Sequence, residues 1–108
     1  MVTAHHICSL DTLTQQHCLS FDINSHALFA VISDTKVFVY RNICPHLGVC
    51  LEWQPNQFLD SSQSLIQCST HGALFKIETG HCIAGPCVGQ SLTPIEHRII
   101  DGQLIVDL

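Results

Sequence analysis

The run His97-Arg98-Ile99-Ile100-Asp101-Gly102-Gln103-Leu104-Ile105-Val106-Asp107-Leu108 decides what kind of fold this chain takes up. Residues 97–100 and 103–108 are short and rich in β-branched side chains. Asp101-Gly102 between them supplies the positive φ angles that a two-residue primed turn requires. The run reads as a β-hairpin. Toward the N-terminus, Thr79-Gly80 reverses the chain between segments 73–77 and 81–84, and Gly85-Pro86 stops the latter. Further back, segments 27–33 and 36–41 meet at Ser33-Asp34-Thr35, a second tight hairpin, and 5–10 and 18–23 read as further strands. Residues 10–16 allow a single helical turn, and no segment carries a sustained helical period with a cap. Asp60-Ser61-Ser62-Gln63-Ser64 is a polar turn inside a longer connection rather than a linker. The fold class is therefore all-β, small, antiparallel and rich in hairpins, with residues 1–108 expected to form one domain.

Composition narrows the function classes. The chain has 108 residues, 46% of them hydrophobic and only 12% charged, which excludes a disordered tail. The formal charge is −5. Lys36, Arg41, Lys76 and Arg98 are scattered singly, so no basic stripe follows a phosphate backbone and nucleic-acid binding is disfavoured. Residues 1–16 lack the basic and apolar regions of a signal peptide, and the longest apolar run, residues 27–32, is far too short to span a membrane. A soluble cytoplasmic protein is expected, in a compartment where thiols stay reduced. The odd total of 7 Cys also argues against a disulfide framework. Seven Cys and 8 His against 4 Lys plus Arg point instead to metal chemistry.

Two segments carry that chemistry: Cys44-Pro45-His46-Leu47-Gly48 and Cys68-Ser69-Thr70-His71-Gly72. Each sets one thiol and one imidazole on a turn that ends in glycine, where backbone can fold tightly around inorganic atoms. Structural zinc is one reading of two Cys and two His, but zinc modules usually pair Cys with Cys and His with His. A four-Cys cluster is another. Cys82 and Cys87 have four residues between them, yet Gln90 stands where the plant-type pattern needs its third Cys. A [2Fe–2S] cluster with two Cys on one iron and two His on the other suits the mixed loops best.

The double motif, C-x-H at 44–46 and C-x-x-H at 68–71, resembles the Rieske family, specifically its soluble oxygenase-associated ferredoxins. Leu47-Gly48 and Gly72 extend the resemblance, and Gly85-Pro86 is similar to the family's proline loop over the cluster. The resemblance implies an antiparallel sandwich-like fold in which two hairpin loops grip a [2Fe–2S] cluster. It implies Cys44 and Cys68 as ligands of the inner iron, His46 and His71 as ligands of the outer one, and Leu47, Gly48, Gly72 and Pro86 as surrounding cover. High-potential members join the loops by a disulfide where this chain has Val49 and Thr70. They also place Ser and Tyr hydroxyls where it has Ala73 and Phe75. Fewer donors to sulfur leave the reduced state less stabilised, so the expected potential is at the low end of the family, about −150 to 0 mV.

The resemblance implies a one-electron carrier between a reductase and an oxygenase or similar terminal enzyme. Neither a nucleophile nor an open metal position marks the chain as an enzyme in its own right. A small redox subunit of a nitrite-reductase-like enzyme is the nearest alternative, and a structural zinc-binding interaction module is the alternative from another class. Residues 44–50 and 68–75 contain no charge. Pro45, Leu47, Val49 and Leu74 would make a dry patch for a redox partner around the two imidazoles. Cys8, Cys18, Cys50, Cys82 and Cys87 read as small buried hydrophobes, with Cys50 the best placed for redox sensitivity. His5, His6, His17, His26, His81 and His97 read as surface or hairpin residues. Trp53, Pro55 and Phe58 are expected to pack the long connection onto the core.

Overall fold

The computed structural model describes residues 3–43, 45, 51, 58–60, 62, 64–68 and 72–108. The elements run β1 (Ala4–Ser9), α1 (Leu10–Gln16), β2 (Cys18–Ile23), β3 (His26–Ser33), β4 (Lys36–Arg41), β5 (Leu65–Gln67), β6 (Leu74–Lys76), β7 (Cys82–Ala84), β8 (His97–Ile100) and β9 (Gln103–Asp107). Among the described residues they form three antiparallel three-stranded sheets, in the orders β1-β9-β8, β2-β3-β4 and β5-β6-β7. The all-β expectation holds. Leu65–Gln67 pairs as a strand that the sequence left inside the long connection.

The hairpins form where turn chemistry demands. Asp101 and Gly102 have φ of 51° and 72°, and Asp34 and Thr35 have 49° and 69°. Asn24 and Ser25, with φ of 51° and 69°, make a third turn of the same kind. Left-handed conformations at both central residues match the twist of the flanking strands. The short helix is capped at Ser9, whose Oγ accepts from the Thr12 N–H, and it ends at His17, whose N–H donates to the Leu13 carbonyl. It buries Leu13.

Strand β3 explains the layering. Leu28, Phe29, Ala30 and Val31 are all buried, so both faces of this strand are covered. Leu28 and Ala30 pack with Val39, Leu104 and Val106 under the β1-β9-β8 sheet. Phe29 and Val31 pack with Tyr40, Phe58, Ile66 and Phe75 over the β5-β6-β7 sheet. The β2-β3-β4 sheet is thus the middle layer between two cores. Phe58 lies stacked on Phe29, with ring centroids 4.3 Å apart and 9° between planes, as expected for a residue anchoring the connection. Trp53 and Pro55 lie outside the described residues.

Two polar bridges cross between layers. The Tyr40 hydroxyl donates to the Ile77 carbonyl at 2.5 Å, inside the protein. Burial, and secondarily the Glu78 carboxylate, pushes its phenol up to about 12. The imidazole of His97, read from sequence as a surface or hairpin residue, sits with Nε2 2.8 Å from the Val37 carbonyl and Nδ1 3.0 Å from that of Ile95. It ties β8 to β4.

Candidate metal centre

Three local structures converge at the β5-β6-β7 end of the molecule. The first follows β4. Asn42 is buried, and its N–H donates to the Ala27 carbonyl at 2.8 Å. Its Oδ1 accepts from the Leu51 N–H, also at 2.8 Å. One amide side chain therefore fastens both ends of segment 43–50 at their base. A buried N–H left without a partner costs about 1–3 kcal/mol, so this fastening is worth keeping. Cys44, His46, Leu47 and Gly48 lie within that segment but outside the described residues, as do Val49 and Cys50.

The second is the turn joining β5 to β6. The Cys68 N–H donates to the Ala73 carbonyl and the Gly72 N–H to the Cys68 carbonyl, both at 2.9 Å. Gly72 adopts φ of 68°, a conformation that suits glycine. Cys68 is fully buried and begins this closed turn, whereas Gly72 is exposed at its end. His71 and Thr70 lie outside the described residues. Ala73 and Phe75 are fully buried and bring no hydroxyl to this end.

The third is the turn after β7. Gly85 has φ of 97°, and a Cβ there would come within 2.7 Å of the Ala73 Cα. Only a residue without a side chain lets the 85–86 backbone lie against the second turn. Pro86 is thereby carried, exposed, to the end where Cys68 and Gly72 sit. Nearby Ile83 and Val88 are 46% and 63% exposed, and Ile43 is exposed as well. Pro45 and Leu74 are half-buried. Residues 79–95 contain no charged side chain, so the uncharged character of the two motif segments continues across this turn. Among the described residues, no three His, Cys, Asp or Glu side chains come together.

The sequence pointed to Cys68, Gly72 and Pro86, and the structure brings these to one end of the molecule. It missed Asn42. Its role rests on its burial and on the bond to Leu51 nine positions away, which residue type and spacing do not display.

The fold and these turns define a class. The chain matches the family model "Rieske [2Fe-2S] domain" over residues 3–99, and it belongs to that family. The ferredoxin of carbazole 1,9a-dioxygenase from Nocardioides aromaticivorans IC177 superposes with a TM-score of 0.77 at 22% identity, covering 96% of each chain. The ferredoxin of Sphingomonas yanoikuyae B1 gives 0.78 at 24% identity, covering 98% of this chain and 99% of the other. A chain from a complex of reduced oxygenase and oxidized ferredoxin in carbazole 1,9a-dioxygenase gives 0.76 at 19% identity, with 95% and 91% covered. Comparison with curated proteins gives no match.

The family's cofactor is a [2Fe–2S] cluster, and the described residues suit it. Cys68 offers a buried thiol on a turn whose backbone is already closed, and Gly85 leaves the third turn free to approach. Membership sets aside the structural-zinc reading.

Proposed function

We propose that this chain is a one-electron carrier that takes electrons from a reductase and passes them to an oxygenase or a similar terminal enzyme. Cys44, His46, Cys68 and His71 are its cluster ligands, with Leu47, Gly48, Gly72 and Pro86 around them, and residues 1–108 act as one domain. The observation that carries this reading is the closed turn of Cys68 and Gly72 with Gly85-Pro86 lying against it. That turn begins at the first residue of the C-x-x-H half of the motif, which supports the ligand assignment. When bound, the cluster takes up and returns a single electron, with neutral imidazoles lowering the charge built up on reduction.

The protein's own residues do the rest. Asn42 fixes the base of the first ligand segment. The thiol of Cys68 is buried, and the exposed apolar side chains of Ile83 and Val88 flank the Gly85-Pro86 turn as an uncharged surface for a partner. Small contact areas suffice for electron-transfer encounters. The partners named for the similar structures, an oxygenase and its ferredoxin in complex, support an oxygenase as acceptor. A carrier of this kind works in the cytoplasm, and no described helix is long and apolar enough to cross a membrane.

The deciding experiment is anaerobic purification with iron, sulfide and zinc analysis, followed by EPR of the dithionite-reduced protein. The expected result is two irons, two sulfides and a rhombic Rieske signal that His71→Ala abolishes. The midpoint should lie at about −150 to 0 mV. Stoichiometric zinc in a colourless protein would overturn the reading.

A further inference from the structure

Cys82 and Cys87 have no part in holding the cluster, and the sequence treats them as packing residues. The fold brings them together. Strand β7 pairs with β6 through Leu74↔Ala84 and Phe75↔Cys82, with Ile83 as the extra residue of a bulge. The bulge leaves Ile83 half exposed and Cys82 buried. The chain then turns at Gly85-Pro86, and residues 85, 86, 88, 89 and 90 are all exposed. Cys87 is the one buried residue of that turn, 1% exposed. Its thiol donates to the sulfur of Cys82 with the two Sγ atoms 3.1 Å apart, while the Cys82 thiol donates to the Ala84 carbonyl at 3.2 Å.

We propose that Cys82 and Cys87 are a dithiol oxidised to a disulfide by hydrogen peroxide, a modification site distinct from the cluster ligands. A disulfide bond is about 2.05 Å long, so the sulfurs need approach by only about 1 Å. The turn is closed by two bonds, from the Gln90 N–H to the Cys87 carbonyl and from the Cys82 N–H to the Gln90 carbonyl. Local opening of such an exposed turn admits a small oxidant to the sulfurs beneath.

The chemistry balances in two steps. The sulfur of Cys82 attacks one peroxide oxygen and the O–O bond breaks. The sulfenic acid forms at Cys82, and the departing hydroxide takes the thiol proton to leave as water. The sulfur of Cys87 then attacks that of Cys82, the S–O bond breaks, and a second water carries off the Cys87 proton. Two electrons pass from the sulfur pair to the peroxide oxygens. The product is a ring closed over 82–87 that contains Gly85-Pro86 and locks this turn against Ala73.

Trypsin cutting after Lys76 and Arg98 places both residues in one peptide, 77–98, with no other cysteine. The holoprotein is treated anaerobically with stoichiometric hydrogen peroxide while its visible absorption is followed, then denatured, alkylated and mapped. The expected result is a 77–98 peptide lighter by two hydrogens and unalkylated, formed while the cluster absorption persists and reversed by a dithiol reductant. Cys8 is an internal reference: burial pushes its thiol up, so it should remain alkylatable. Alkylation of both Cys82 and Cys87, separate sulfinic acids, or a cross-link that appears only after bleaching would each overturn the proposal. Because the wild-type chain carries the reading, no variant has to fold. Cys87→Ala adds a check, and its Cys82 should then stop at the sulfenic acid.

Discussion

The β2-β3-β4 and β5-β6-β7 sheets have the same number of strands and the same antiparallel order, yet they are held in different ways. The first has strands of six to eight residues joined by two-residue turns, with a continuous ladder from Cys18↔Val31 to Leu28↔Arg41. The second has strands of only three residues. The segments around it are fastened by a few contacts between specific residues, among them Asn42 to Leu51, Cys68 to Ala73 and Gly85 against Ala73. Short strands with long loops leave the backbone free to serve a metal centre, while the long sheet supplies the rigidity such loops lack. Stability and function are divided between neighbouring layers.

The largest expected effect comes from removing the join between those layers. Phe29→Ala should cost about 3–5 kcal/mol in urea unfolding, because Phe29 is fully buried and stacks on Phe58. A loss below about 1 kcal/mol would show that the layers do not depend on this contact. Next is Gly85→Ala, expected to cost about 2–4 kcal/mol through positive φ and the collision with Ala73. Hydrogen exchange should accelerate across β5–β7 and stay slow in β3. Equal acceleration in both sheets would erase the distinction between them.

Alkaline pH probes the Tyr40 bridge between the same two layers. Its phenol is raised to about 12 in the folded protein against about 10 in the unfolded chain. The unfolded state therefore loses the proton first. Stability from this group is complete below pH 10 and drains as pH rises toward 12, by about 2–3 kcal/mol in all. Urea midpoints of Tyr40→Phe should lack that decline. The smallest effect is a gain. Thr35 holds a β-branched side chain at φ of 69°, so Thr35→Gly should raise stability by about 0.5–1 kcal/mol and leave the EPR signal unchanged.

The same contrast governs what the sequence reveals. Asp101-Gly102 and Asp34-Thr35 are turns that local chemistry imposes, so the long hairpins are legible from residue type and order alone. Strand β5 is not. Leu65–Gln67 is too short to show alternation, and it is a strand because Phe75 and its neighbours pair with it on one side and Leu59 bridges to it on the other. The two motif segments are legible as donors, since their residue types and spacing suffice. Asn42, the packing of Gly85 on Ala73 and the meeting of Cys82 with Cys87 depend on contacts across the fold that spacing does not encode. His97 is a similar case, because its second carbonyl partner lies 60 positions away in the chain.

The two-sided burial of β3 has a consequence for how the chain finds its native pairing. In most sheets a slip of one residue turns apolar side chains toward water, and solvent corrects the error. Here both destinations are apolar, so solvent gives little guidance. Size discriminates instead: a slipped strand would drive Phe29 into the space shaped for Leu28 and Ala30 and leave a void beside Phe58. The order of bulky and small side chains along this strand therefore acts as an address, read by shape where hydrophobicity alone is silent.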